Sequence, residues 1–359
     1  MKNNTKTTYS ARWVAASIVA AGTLLAAQAR GDTVVLFAGG NASQTLLYAN
    51  VTNVLTGGIT GVVISPTNST VRTYQGSIAE QPGLGTVTIH FSLLGAIQGL
   101  QDLSEQNTEE TATGASLIPT VAVSSTSPSA VGINPNLFTA NTTLAVPYAF
   151  IVNPSSSPNL ANVTNLTQRQ AAYLEGAAGT LPSAFFGGGS TTDVVYLVPR
   201  NTSSAVRTEI DANIYFTGTI SAWKTNSSGQ PIPDPSGGQS SGSAVRAQLK
   251  AIPESIGTVA ASDISTLTPL AYEGVPFSIT NVENGSYPLW FYEQWFYLPT
   301  GSQGTPSVPQ LDVITNLLGA VTNADFQATN SLFVGNFVPL NGLQVSRTSD
   351  GGPIQSTQY

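Results

Sequence analysis

The sequence is poor in the residue types that build metal sites and disulfides. Among its 359 residues there is no cysteine, and His90 is the only histidine. Disulfides and thiolate metal ligands are therefore excluded, as is any site that needs two imidazoles. His90 lies opposite the apolar face of the alternating run Val87 to Phe91, so we expect a structural or surface role for it. We expect neither a metal nor a cofactor.

Charge is also scarce, and what there is is mainly negative. Charged residues are 9% of the chain, and the formal net charge is -7. A protein of this charge is a poor partner for DNA or RNA, so we expect no nucleic-acid binding. The sequence has no phosphate-binding P-loop and no carboxylate pair in a glycosidase-like setting. We therefore predict that the protein is not an enzyme.

The N-terminal segment has the pattern of a secretory signal. Lys2, Lys6 and Arg12 precede an apolar stretch from Trp13 to Ala27, and Ala27-Gln28-Ala29 is a small-x-small cleavage site. This order is typical of a cleavable signal peptide, which we place at residues 1–29. The predicted location is periplasmic or secreted. Removal of residues 1–29 lowers Lys plus Arg from 12 to 9 and leaves 19 acidic residues, a net charge of about -10.

Beyond this segment, apolar runs alternate with helical spacing of apolar residues. The predicted strands are 33–38, 61–65, 86–92, 119–124, 147–152, 194–198 and 256–260, and the predicted helices are 44–55, 92–103, 166–174, 204–215 and 241–249. Strands that alternate with helices predict an α/β fold with mainly parallel sheets and flanking helices.

The segment Arg200 to Arg207 carries the clearest chemical signal. A strand delivers Arg200, and Ser203 and Ser204 then open a predicted helix with Arg207 on its first turn. Helix N-termini have unpaired amide groups and a partial positive charge, and arginine adds a planar donor fork. This combination predicts a site for a phosphate-like anion. The alternative is a serine cap with a surface arginine, in which Arg207 pairs with Glu209 or Asp211.

Two further loops share this design of a strand, a turn of small residues and a helix headed by serine. They contain Ser43 with Gln44, and Ser92. Because loops at the carboxyl ends of neighbouring parallel strands gather at one edge of a sheet, we expect the three loops to meet. Each serine could instead be a helix cap that contacts no ligand.

Several segments, in order along the chain, resemble the periplasmic phosphate-binding proteins of ABC transporters. The segment Arg200 to Arg207 is similar to the family's Arg-Asn-x-Gly-Ser-Gly-Thr-Arg anion cradle. The other similar segments are the crossing strand Val146 to Asn153, the Asn-Leu-Thr helix start at Leu166 to Gln170, the late Ser-Gly helix at Ser240 to Gly242, the Ile-Gly-Tyr strand at Ser255 to Val259 and the Gly-x-Tyr-Pro-Leu return segment at Asn284 to Leu289.

The resemblance implies a type II-like periplasmic-binding-protein fold in which two lobes, joined by two crossing segments, close on the ligand. Lobe 1 would be residues 30–145 plus 275–359, and lobe 2 would be residues 146–274. The implied function is extracytoplasmic capture of an oxyanion, phosphate above others, by a monomer that delivers it to an ABC permease. The implied phosphate ligands are Ser43, Gln44, Ser92, Ser125, Thr126, Arg200, Ser203, Ser204, Ala205 and Val206.

The sequence also departs from the family pattern. Thr126 stands where the family usually has an aspartate that accepts the proton of hydrogen phosphate, and Ala205 and Val206 replace a glycine and a threonine. Phe91 replaces a glycine before the second serine. These departures predict weaker discrimination against sulfate. They also leave open a second hypothesis, a secreted structural or surface protein that keeps the fold and has lost its ligand. The aromatic cluster at positions 287 to 297 is interpreted as lobe packing.

Overall fold

The computed structural model describes residues 31–153, 155 and 158–357. The predicted signal peptide at residues 1–29 lies outside the described residues. The described helices are α1 Gln44–Val54, α2 Ala96–Glu105, α3 Gln168–Ala177, α4 Ala205–Asn213, α5 Gly242–Ala251, α6 Ile279–Glu283, α7 Val308–Val321 and α8 Ala324–Thr329. No helix in this part of the chain combines the length and apolarity needed to cross a membrane.

Most of the strands form one large sheet. The strands are β1 Thr33–Gly39, β2 Ile59–Ile64, β3 Val71–Gly76, β4 Val87–Ser92, β5 Glu109–Glu110, β6 Ser116–Leu117, β7 Val121–Ser124, β8 Thr139–Val152, β9 Asn165–Leu166, β10 Tyr196–Val198, β11 Trp223–Thr225, β12 Pro231–Pro233, β13 Ser255–Ala260, β14 Thr268–Pro269, β15 Ala271–Tyr272, β16 Trp290–Tyr297, β17 Val345–Ser346 and β18 Gln355–Ser356. The sheet order is β10-β13-β8-β16-β7-β1-β4-β3-β2, with β14 also on β8.

Five of the predicted strands, β1, β4, β7, β10 and β13, have parallel neighbours in the sheet. Strand β1 lies between β4 and β7 and is parallel to both, and β10 is parallel to β13. Strands β2, β3, β8 and β16 join this framework with antiparallel pairing. Helix α2 packs on β1 and β7, helix α7 packs on β1, and α4 and α5 pack on β13. The predicted α/β class is confirmed.

Strand β8 carries the chain from one half of the sheet to the other. Its first part, from Thr139 to Pro147, pairs with β16, and its second part, from Tyr148 to Val152, pairs with β13. The 14-residue strand is longer than the six residues predicted for it. It lies where the lobe division at residue 146 was predicted, and the division itself stays a prediction.

Aromatic side chains pack together in the core beside strands β1, β4 and β16. Phe37 stacks on Phe91 with ring centroids 5.5 Å apart and contacts the edge of Trp295 at 5.3 Å. Trp290, Trp295 and Tyr287 have no exposed surface. The prediction that the aromatic cluster packs the interior is therefore confirmed for these three residues. Phe91, which replaces a family glycine, fills this core.

The C-terminal tail packs against the body of the protein. Asp350 accepts hydrogen bonds from the backbone N–H and the hydroxyl of Ser127, at 2.8 and 2.7 Å. The guanidinium of Arg347 lies 4.6 Å from the ring centre of Trp290, and it donates to the carbonyl of Pro288. The tail thereby ties the loop after β7 to the start of β16.

Candidate functional site

A small closed cavity lies where residues of the two predicted lobes meet. Its volume is about 10 Å³. One water molecule needs roughly 10–15 Å³, and organic ligands occupy pockets of roughly 300–1,000 Å³, so a tetrahedral anion would enter this cavity only after its walls move apart. It is lined by Gly40, Asn41, Ala42, Gly95, Ala96, Ser125, Tyr148, Arg200, Ser204, Ala205, Val206 and Glu293.

Three helices begin at this cavity. The chain before α1 contributes Gly40 to Ala42, the start of α2 contributes Gly95 and Ala96, and the start of α4 contributes Ser204 to Val206. None of these three helices has a side-chain cap hydrogen bond at its N-terminus, whereas α3, α5, α6 and α8 each have one. The amides of Gln44 in α1 and Ile97 in α2 already donate to the backbone carbonyls of Asn41 and Ser203. The uncapped start of α4, where Ala205 and Val206 line the cavity, is therefore the N-terminus best placed to bind an anion, which the helix dipole also favours.

Arg200 supplies the positive charge of the cavity. It follows β10 and is 2% exposed. Its Nε donates to the carbonyl of Gln239 at 3.2 Å, and its Nη2 donates to the carbonyl of Ser240 at 3.0 Å and to Oδ1 of Asn41 at 3.4 Å. Burial lowers the pKa of Arg200, and the nearby Asp263 and Tyr148 oppose that change. A buried guanidinium that hydrogen-bonds neutral oxygens is well suited to an anionic partner.

Two hydroxyl groups of residues that line the cavity lie beside one another. Ser125 Oγ and Tyr148 Oη are 2.5 Å apart. Both residues line the cavity, and Tyr148 has no exposed surface. Burial raises the pKa of Tyr148 far above its usual value, so the phenol keeps its proton and can donate it in a hydrogen bond. The pair therefore offers neutral donors as well as acceptors.

The cavity also contains a carboxyl group, which sequence reasoning missed. Glu293 is on β16 and is 2% exposed. Burial raises the pKa of its carboxyl to about 7, and hydrogen bonds from Ser43, Trp295 and Thr143 oppose the rise. A signal for it was present, because Glu293 is the only charged residue in the aromatic run from Trp290 to Tyr297, and buried carboxylates are rare outside functional or paired positions.

The structure brings together part of the predicted ligand set. Ser125, Arg200, Ser204, Ala205 and Val206 all line the cavity. Gln44 instead lines an adjacent cleft of about 590 Å³, which also contains Arg246, and Ser203 lines an acidic cleft of about 570 Å³.

Three of the predicted ligand hydroxyls are buried outside the cavity lining. Ser43, Ser92 and Thr126 are each at most 1% exposed. Ser43 lies beside the carboxyl of Glu293, Ser92 beside that of Glu109, and Thr126 beside that of Glu209, and each opposes the rise in that carboxyl's pKa that burial causes. Each of these hydroxyls therefore has a carboxyl group as its neighbour, and none of the three residues lines the cavity.

Arg207 is directed away from the cavity. Its Nε lies 3.1 Å from Oδ2 of Asp211, one helical turn ahead, and its Nη1 donates to the carbonyl of Gly237 at 2.9 Å. The alternative in which Arg207 pairs with Asp211 is thus the observed arrangement. Of the two arginines in the motif, Arg200 alone lines the cavity.

Hydrogen bonds close the cavity between the two predicted lobes. Ser262 donates its hydroxyl to the carbonyl of Ala42 at 2.9 Å, and the amide of Ile97 donates to the carbonyl of Ser203 at 3.4 Å. Arg200 also donates to Asn41 across this boundary. The contacts therefore involve the loop before α1, the loop before α4, and the first turn of α2, which follows the loop of Ser92. These contacts join residues of the two predicted lobes at the cavity.

One motif with a hydrolase spacing needs a separate explanation. Residues Gly238 to Gly242 read Gly-x-Ser-x-Gly, the spacing of a nucleophile turn. The required histidine is not supplied, because the ring of His90 lies in buried strand β4 with its Nδ1 2.8 Å from Thr73 Oγ1. The central serine, Ser240, lies just before the cap of α5, where its carbonyl accepts from Nη2 of Arg200. The next residue, Ser241, caps α5 by accepting from the amide of Ala244. The motif is therefore the head of a helix. Within the described residues, no group of three or more His, Cys, Asp or Glu side chains could hold a metal.

Comparisons with known proteins support the fold. No protein-family model and no curated protein matches the sequence. A structure solved with bound phosphate, described as that of a phosphate ABC transporter substrate-binding protein from Clostridium perfringens, matches with a TM-score of 0.56 at 12% identity, over 86% of this chain and 100% of that one. An ABC-type phosphate transport receptor from Vibrio cholerae matches with a TM-score of 0.51 at 13% identity, over 79% of this chain and 93% of that one. The chain therefore has the α/β fold of phosphate ABC transporter substrate-binding proteins, as the order of its sequence landmarks predicted.

Proposed function

We propose that the protein is an extracytoplasmic solute-binding protein that captures an oxyanion, phosphate above others, between its two lobes. One observation carries the proposal: the buried Arg200 and the uncapped N-terminus of α4 line the same small cavity, together with residues beside the starts of α1 and α2. The two matching structures described above are those of a phosphate ABC transporter substrate-binding protein with bound phosphate and of an ABC-type phosphate transport receptor. Lobe 1 would be residues 30–145 plus 275–359, and lobe 2 residues 146–274.

The size and charge of the cavity both favour a small inorganic anion. A sugar, amino acid or peptide needs tens of times the available volume. The positive end of the cavity comes from the Arg200 guanidinium and from the start of α4, where Ala205 and Val206 line the cavity. A guanidinium fork and backbone amides match the several acceptor oxygens of a tetrahedral oxyanion, each through a charge-assisted hydrogen bond. Such local groups offset the negative net charge of the whole protein.

The same proposal gives the protein a place in transport. A cleavable signal peptide at residues 1–29 would deliver it to the periplasm or outside the cell, where it would act as a monomer without enzymatic activity. Closure of the lobes around the anion would be the state presented to an ABC permease in the membrane. The alternative, a surface protein without a ligand, predicts that the cavity stays empty of any oxyanion.

The test is a calorimetric titration of the purified protein with sodium phosphate, arsenate and sulfate near neutral pH, after dialysis with a phosphate scavenger to remove co-purified anion. We expect phosphate to bind with a Kd of about 1 µM or tighter, which corresponds to about -8 kcal/mol. Arsenate, which has the same shape and protonation, should compete. An absence of binding by all three anions would contradict the proposal and favour the surface-protein alternative.

A further inference from the structure

The acidic cleft that contains Ser203 is separate from the anion cavity. Its volume is about 570 Å³, within the range of sites for small organic molecules. Ser203 belongs to predicted lobe 2, and the other lining residues belong to predicted lobe 1. Among the described residues, none lines both the cleft and the anion cavity. The cleft is therefore examined as a second place where the protein contacts a ligand.

The cleft contains a buried carboxyl group without a hydrogen-bond partner. Glu109, the first residue of β5, lines the cleft and is 6% exposed. Neither of its carboxyl oxygens accepts a hydrogen bond from any group in the described part of the chain. Burial of a carboxyl group is costly unless a hydrogen bond or an opposite charge compensates for it, so a buried carboxyl of this kind needs a partner.

A second buried carboxyl group lies near the first. Asp102, on α2, also lines the cleft and is 4% exposed. Its oxygens accept hydrogen bonds from the side-chain amide of Gln98 at 2.9 and 2.8 Å and from that of Asn107 at 3.4 Å, and both of these donors are neutral. Of the ion pairs that the described residues form, none includes Asp102 or Glu109. Two neighbouring carboxyl groups repel each other unless a proton or a cation compensates.

The rest of the cleft suits an elongated organic cation. Glu110, which is exposed, places a third carboxyl group at the cleft. Val71 and Leu94 supply apolar surface, and the lining includes no lysine or arginine among the residues that the structure describes. A bare metal ion is a poor fit, because no cluster of three His, Cys, Asp or Glu side chains in the described chain could hold one. Carboxyl groups and apolar side chains together match ammonium groups joined by methylene groups.

We propose that the acidic cleft is a binding site for an aliphatic diamine or polyamine, with one ammonium group at Asp102 and Glu109 and a second at Glu110. An ammonium group donates three hydrogen bonds, so it gives the two buried carboxyl groups the donors and the positive charge that the protein itself does not supply. The proposal goes beyond the proposed function, and neither site requires the other.

Binding should release a proton from Glu109. Burial raises the pKa of the Glu109 carboxyl to about 8, the charge of Asp102 adds to the rise, and the hydroxyl of Ser92 opposes it. Near neutral pH the free protein therefore holds a proton on Glu109. A bound ammonium group favours the ionised carboxylate, so we expect about one proton to leave with each diamine that binds.

The experiment is calorimetric titration of the purified protein with putrescine and spermidine near neutral pH and at low salt, in two buffers that differ in ionisation enthalpy. We expect a Kd below about 1 mM for putrescine and release of about one proton. E109Q should weaken putrescine binding by at least about 30-fold and abolish the proton release, because it removes a buried charge partner. E110Q, at an exposed position, should weaken it by about 2- to 5-fold.

The matched control is E105Q. Glu105 is on the same helix as Asp102, but it is exposed and does not line the cleft, so its replacement removes the same charge without touching the site. E105Q should keep the natural affinity and proton release. Butylamine, which has one ammonium group, should bind more weakly than putrescine, the matching diol should not bind, and calcium chloride at the same concentration should not compete.

The outcomes decide the proposal whether or not E109Q folds. Absence of putrescine and spermidine binding by the natural protein would overturn it and leave a proton shared by Asp102 and Glu109 as the only compensation. Equal affinity for butylamine and putrescine, or competition by calcium at equal concentration, would overturn the assignment to a diamine. Natural affinity in a folded E109Q would overturn the placement of the ligand. Phosphate binding is measured separately, so failure here does not affect the proposed anion site.

Discussion

Replacing Arg200 by alanine is expected to weaken phosphate binding by at least about 30-fold while the protein stays folded. The guanidinium is the only cationic group that lines the cavity, and it is 2% exposed. Removal of one partner from a buried, hydrogen-bonded charge pair costs about 2–5 kcal/mol, which weakens binding by about 30-fold to several thousand-fold. Calorimetry measures the loss, and circular dichroism checks the fold.

The control for this variant is Arg169→Ala. Arg169 is in the same predicted lobe, on α3, and its guanidinium lies over the ring of Tyr173 rather than in the cavity. The Arg169→Ala substitution removes the same charge from the protein as Arg200→Ala, so this control reports any general effect of net charge on anion affinity. Retention of natural phosphate affinity by Arg200→Ala would contradict the placement of the anion in this cavity, whatever the control shows.

Replacing Gly95 by leucine is expected to prevent closure and weaken phosphate binding without unfolding the protein. A Cβ atom at Gly95 would lie 2.9 Å from both the carbonyl oxygen and the hydroxyl of Ser203, across the boundary between the predicted lobes. The added side chain would force apart the contact in which the amide of Ile97 donates to that carbonyl. Overpacking costs about 1–3 kcal/mol, so binding should weaken by about 5- to 150-fold.

The measurement combines calorimetry with small-angle X-ray scattering in the presence and absence of phosphate. The natural protein should become more compact when phosphate is added, and Gly95→Leu should not. Gly319→Leu is the control, because Gly319 is exposed on α7 and a Cβ there would contact nothing within 4 Å. Equal compaction and affinity in natural protein and Gly95→Leu would exclude the closed contact at Gly95 as part of binding.

The sequence pattern predicted those members of the candidate site that lie close together along the chain. Arg200 and the amides that follow Ser204 lie within seven residues, directly after a strand and at the start of a helix, so strand and helix periodicity were enough to find them. The strand–helix alternation predicted the α/β class for the same reason. Most predicted element ends differ from the observed ones by only a few residues.

A single sequence does not show which strands pair when they are far apart along the chain. Strand β16 contains Glu293, yet it inserts between β7 and β8, which are more than 130 residues away in the chain. Its run of aromatic residues lacks simple alternation, and its bulge changes which side chain faces the cavity. Strand β3 and helix α7 were also missed. The isolated charge of Glu293 in an apolar run could have marked it as a candidate site residue. The residues that surround it in space could not be predicted from the sequence.

The hydroxyls of Ser43 and Ser92 illustrate a second limit. Both were predicted at the head of a helix, and both are fully buried. Ser43 does precede α1 directly, but the prediction for Ser92 was wrong, because it ends β4 and Gly95 precedes α2. Whether a serine at such a turn faces the ligand or a neighbouring carboxyl depends on the turn's last one or two dihedral angles. Sequence spacing identifies the loop, and only the packed structure shows where the side chain is directed.

The most direct test of the central claim is a crystal structure of the protein with phosphate. The account predicts one phosphate in the cavity, with its oxygens at hydrogen-bond distance from the Arg200 guanidinium and from the amides of Ala205 and Val206. Phosphate found only in the adjacent cleft beside Arg246, or a cavity that stays without phosphate at saturating concentration, would contradict the account.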